Sequence, residues 1–69
     1  MKESVGLYEV DPMIGYHNIL CMHNGHVEVA FSAKTCEECF NFCNKAGIRL
    51  LPIEAYIHEP HKYRIGVME

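Results

Sequence analysis

The chain has no tryptophan and only two serines, Ser4 and Ser32. Serine-based hydrolytic chemistry therefore has few starting points, and Ser32 stands where the chain leads into a helix. The five glycines are scattered singly, so no glycine-rich loop is present to cradle phosphates. No apolar run approaches the roughly 20 residues that a membrane helix needs. The opening stretch, Met-Lys-Glu-Ser-Val-Gly-Leu, lacks the apolar block of a secretory leader, so a cytoplasmic location and no membrane partner are expected. Positive charge is sparse and dispersed. Six Lys and Arg face nine Asp and Glu, for a net charge of −3. A protein that grips nucleic acid electrostatically would gather its basic residues on one face, and this pattern argues against such a partner.

What the chain does have is apolar residues, histidine and cysteine. Forty-nine per cent of it is hydrophobic, which places its 69 residues among globular chains, as one domain spanning 1–69. A core of that size supplies only about 3–5 kcal/mol, so a metal, a crosslink or a partner chain is a natural supplement. In the cytoplasm, four cysteines point to thiols or metal ligands rather than disulfides.

Ser4–Val10 is expected to form a strand, ended by the turn pair Asp11-Pro12. Asn24-Gly25 between two apolar runs predicts a hairpin with a type I′ turn, whose central residues both need positive φ. This turn pairs His23 with His26, Met22 with Val27, Cys21 with Glu28 and Leu20 with Val29. By period two, Leu20, Met22, Val27, Val29 and Phe31 then share one face, expected to be core. His17, Ile19, Cys21, His23, His26, Glu28 and Ala30 share the other, expected to be open. Thr35 and Glu38 form a capping-box pattern and Gly47 can end the helix between them in a left-handed conformation. On that helix Cys36, Cys39, Phe40, Cys43 and Ala46 make the apolar stripe. The remaining segment reads as a second hairpin, with a loop over His58–Lys62 pairing Ile57 with Tyr63, Ala55 with Ile65 and Ile53 with Val67. Pro52 argues for an edge position or a bulge. The expected fold is α+β: a small antiparallel sheet of about five strands in the order β-ββ-α-ββ, with one amphipathic helix on one face.

Three chemistries compete for these side chains. Cys21, His23, His26 and Glu28 form a square on one hairpin face, and all four are zinc ligand types; Cys36 and Cys39 are a second source of ligands. Cys36-Glu37-Glu38-Cys39 is also a C-x-x-C at a helix N-terminus, a setting that favours thiolate, although the two glutamates oppose it. The plainest alternative makes the thiols core packing, with the histidines of both turns, including His58 and His61, as solvated residues. Under that reading no cofactor is needed, the chain is no enzyme, and its function is protein binding. One helix covers one face of a sheet. The other face, carrying Ile19, Ala30, Tyr56 and Arg64, is then the expected interface of a regulatory or inhibitory module that forms a homo-oligomer.

Overall fold

The computed structural model describes residues 2–68. It is an α+β fold with a five-stranded mixed sheet. Strand β1 (Glu3–Asp11) is central, β2 (Tyr16–His23) and β3 (His26–Ala33) form the hairpin, helix α1 (Cys36–Ala46) follows, and β4 (Arg49–Pro52) returns to the sheet. A short helix α2 (Ile53–His58) and a 3-10 turn at Pro60–Lys62 lead into β5 (Tyr63–Ile65). The order β3-β2-β1-β4 leaves β3 and β4 as edges, and Pro52 closes the edge strand β4.

The hairpin forms as its turn dictates. Asn24 and Gly25 have φ of 51° and 81°, and the pairs His23–His26, Met22–Val27, Cys21–Glu28 and Leu20–Val29 are those the turn predicts. Beyond them the ladder slips. Ile19 pairs with Phe31, so Ala30 is an extra residue on β3. Such a bulge inverts the alternation that follows it. Phe31 and Ala33 therefore join the face of Ile19 and Cys21, while Val27 and Val29 stay on the face of Leu20 and Met22.

Helix α1 settles which face is core, and it reverses the expectation. Ile19 and Cys21 are 0 % and 1 % exposed beneath the helix, with Ala33, Cys39 and Cys43 around them, while Val27 and Val29 are half exposed. Thr35 caps the helix by accepting a hydrogen bond from the Glu38 amide at 3.3 Å, and Gly47 ends it at φ 70°. On the stripe Cys39 and Cys43 are buried, but Phe40 is half exposed; Phe42 instead stacks on Phe31, with ring centres 4.7 Å apart. The helix approaches the sheet closely at Gly6. A Cβ there would lie 3.6 Å from Cys43 Sγ on the helix and, more tightly, 3.0 Å from Ile48 Cγ2 and 3.2 Å from Ile19 Cγ2, so a side chain fits only if those two side chains give way.

The second hairpin does not form. Ile53–His58 is helical, with Ile53, Ala55 and Tyr56 against Val5, Leu7 and Leu51 on the face opposite α1. A six-residue apolar-polar run fits either period, and the bare Val5–Leu7–Leu51 surface decides for the helix. β4 and β5 both run parallel to β1, on opposite edges of it: Val5 pairs with Arg49 on one side and Ile65 on the other. β5 thus takes the stretch of β1 that β2 leaves free. Residues 66–68 continue to β2, where the Met22 amide donates to the Gly66 carbonyl at 2.9 Å and the Met68 amide to the Met22 carbonyl at 3.0 Å. No helix among the described residues is long and apolar enough to cross a membrane.

Candidate functional site

The four residues expected to share an interface are dispersed. Ile19 is sealed under α1, Tyr56 packs inward on α2, and only Ala30 and Arg64 are exposed. Ala30 is the bulge residue, and the Arg64 Nε donates to Ser4 Oγ at 3.0 Å. The reversed core face accounts for Ile19, which looks inward rather than outward, and the replacement of the second hairpin by α2 accounts for Tyr56.

An open apolar surface exists nonetheless, made of other residues. The row Val29–Leu20–Leu7–Leu51 crosses four strands on the α2 side of the sheet. Along it exposure falls from 54 % at Val29, through half-buried Leu20, to 3 % at Leu7 and 7 % at Leu51. Two turns of helix cover β1 and β4 and stop there. The neighbouring row, Val27–Met22–Val67, is less covered still, with Val27 at 52 % and Val67 at 69 %. Single exposed hydrophobics are ordinary; here they are contiguous and lie beside a free strand edge. Period two grouped Leu20, Met22, Val27 and Val29 of this set in the sequence, but it added Phe31, which the bulge moves to the other face, and it assigned the group to the core.

The proposed zinc square keeps its register and loses its function as a closed ligand set. His23 Nδ1 lies 2.8 Å from Glu28 Oε2, so these two pair with each other. Cys21, across from Glu28, is buried beneath the helix, and His26 is exposed at the turn. Among the described residues no group of three or more His, Cys, Asp and Glu is arranged to hold a metal ion.

The thiols form a ladder along the seam between α1 and the sheet. Burial raises the Cys21 thiol above its ordinary range, and burial together with the neighbouring Cys36 and Glu38 does the same for Cys39. Cys43 is pushed up to about 11, by burial first and then by Cys21 and Cys39. Neutral thiols are poor nucleophiles, so these three serve packing better than catalysis. Cys39 also donates to the His17 carbonyl at 3.5 Å. At the top of the ladder the Tyr8 hydroxyl bonds His17 Nδ1, with the two rings stacked 5.7 Å apart. The Tyr8 phenol is raised by burial and by the nearby Cys36 and Cys39. Sequence inspection missed this Tyr8–His17 pair. The two residues are cross-strand neighbours only once β1 and β2 are set in register, and no local motif marks that. All four cysteines are free.

No protein-family model matches the chain, and no curated protein or solved structure is detectably similar to it.

Proposed function

We propose that this chain is a small, non-enzymatic binding module, regulatory or inhibitory in kind, that pairs with a second copy of itself through the β2–β3 half of its sheet. The observation that carries the reading is the exposed pair Val27 and Val29, flanked by Met22 and Val67, on a sheet half that α2 does not reach. The occupant follows from the adjoining edge. In a two-residue hairpin the closing pair, His23–His26, exchanges main-chain hydrogen bonds, so Val27 and Val29 turn their own main-chain groups away from β2. A second β3, antiparallel about a two-fold axis at Val27, satisfies those groups and merges the two valine rows. In that register His26 of each copy faces Glu28 of the other, and Glu28 keeps Oε1 for the contact while Oε2 holds His23. The buried, neutral thiols support binding over catalysis, and four free thiols accord with the reducing cytoplasm.

Light scattering at micromolar concentration tests the proposal. The wild type is expected at twice the monomer mass, and Val27→Lys at the monomer mass with its circular dichroism unchanged, because the Val27 side chain makes no part of the core. A monomeric wild type, or a Val27→Lys variant that stays dimeric, overturns it.

A further inference from the structure

On the helix side of the hairpin tip, a cavity of about 310 Å³ is lined by Cys21, His23, Glu28 and Met68 together with Phe42. Three features bring unlike donors together there. Cys21 and His23, two apart on β2, project to the same side. Met22, the residue between them, holds residues 66–68 by its two main-chain hydrogen bonds, which sets the Met68 side chain against the cluster containing Cys21. Glu28 Oε2 engages His23 Nδ1 at 2.8 Å and leaves Nε2 as the free ring nitrogen. A carboxylate fixing one imidazole nitrogen so that the other can ligate is the usual second partner of a metal-bound histidine.

We infer that this cavity binds a single monovalent copper ion through Cys21 Sγ, Met68 Sδ and His23 Nε2, with Glu28 orienting His23. The donor set selects the metal. Thiolate and thioether are soft ligands that suit copper(I), which accepts two or three donors, whereas zinc favours four and makes little use of a thioether. Glu28 is spent on His23, and no further His, Cys, Asp or Glu completes a zinc tetrahedron among the described residues. On binding, the Cys21 thiol gives its proton to solvent and the copper keeps its oxidation state, so no oxidant or reductant is consumed. Val29 and Ala30 also line the cavity, so it opens beside the β3 edge. Glu28 serves both sites, with Oε2 on His23 and Oε1 toward the second copy. The three copper ligands nonetheless come from one chain, so uptake does not need the second copy.

The test is a competition under anaerobic conditions, with reduced protein titrated into the coloured copper(I)–bicinchoninate complex. Wild type is expected to withdraw one equivalent of copper. His23→Asn and Met68→Leu are each expected to weaken that withdrawal about tenfold or more, and Glu28→Gln about tenfold through the lost orientation of His23. Cys36→Ser is expected to change nothing. His23 and Met68 are only partly buried, so their variants fold and keep the test valid even where Cys21→Ala does not. Failure of the wild type to take copper overturns the inference. So does undiminished uptake by His23→Asn and Met68→Leu, or a loss in Cys36→Ser, which would place the ion at the C-x-x-C pair instead.

Discussion

Replacing Ile19 by alanine tests the placement of the core more directly than any other change. Ile19 is 0 % exposed, enclosed by Cys21, Ala33, Cys39 and Cys43. The substitution removes three carbons at roughly 0.8 kcal/mol each, or about 2.4 kcal/mol of transfer free energy. The residual cavity adds to this, since the helix and sheet cannot fully close over it, for a total of about 3–4 kcal/mol. A chain of this length holds about 3.5–10 kcal/mol in all, so the variant sits close to unfolding. Val29→Ala removes two carbons from a side chain already half in water and costs under about 1 kcal/mol. Urea unfolding followed by circular dichroism separates the two, at submicromolar concentration where self-association adds little. With a slope near 1 kcal/mol/M, Ile19→Ala lowers the midpoint by about 3 M and Val29→Ala by less than about 1 M. The reverse ranking would mean that α1 packs on the other face of the hairpin, and the core assignment would fall.

Two other outcomes follow from the same packing. Gly6→Ala places a methyl group against Ile48 and Ile19 at the 3.0 and 3.2 Å approaches, and is expected to cost about 1–3 kcal/mol, read as a lowered thermal midpoint; an unchanged midpoint would show that the Ile48 and Ile19 side chains have room to shift. Alkaline pH is expected to destabilise the fold, because the Cys43 thiol titrates near 9.0 when unfolded and near 11 when folded. A folded-state value above the unfolded one contributes stability that is complete below pH 9 and is lost as pH rises through 11, here up to roughly 2.5 kcal/mol, and the raised Cys21, Cys39 and Tyr8 act in the same direction. Urea midpoints that stay level between pH 8 and pH 11 would refute this.

The parts of the fold legible in the sequence are those with local causes. Asn24-Gly25 announces its turn because few dipeptides accept positive φ twice, and that alone fixed four cross-strand pairs. Thr35 and Gly47 bound α1 through contacts within a few residues. The α+β class and the order β-ββ-α follow from these, whereas the antiparallel hairpin expected after α1 is replaced by α2 and two strands, β4 and β5, that run parallel to β1. The bulge at Ala30 has no such mark: no glycine or proline stands in His26–Ala33, and what accompanies the slip, the stacking of Phe31 on Phe42 of the helix, is a long-range contact. The core face was misjudged for a related reason. Leu20, Met22, Val27 and Val29 are more hydrophobic than His17, Ile19, Cys21 and His23, yet burial is decided by which side the helix takes. Small thiols on both surfaces let it come close. The same long-range dependence hid α2, whose sequence suits a strand until Val5, Leu7 and Leu51 need cover. The candidate residues fared alike. Cys21, His23 and Glu28 were rightly set together by the hairpin, but Met68 arrives from residues 66–68, which nothing near the turn foretells.

The pairing of β1 with β5 bears on how the chain reaches this structure. Glu3–Val5 find their partners at Tyr63–Ile65, and the Ser4–Arg64 hydrogen bond spans 60 positions of sequence. Closing so long a loop costs entropy before the contact repays it, so the hairpin and α1 have time to organise while one edge of β1 is still unpaired. During synthesis that edge stays bare until residues 63–68 have emerged. Through that interval the Glu3–Val5 edge, beyond the reach of β2, is open to any other extended strand nearby. The last pairing to close in this small sheet is thus the one most distant in sequence, and the Glu3–Val5 edge is the part left exposed to mispairing until it does.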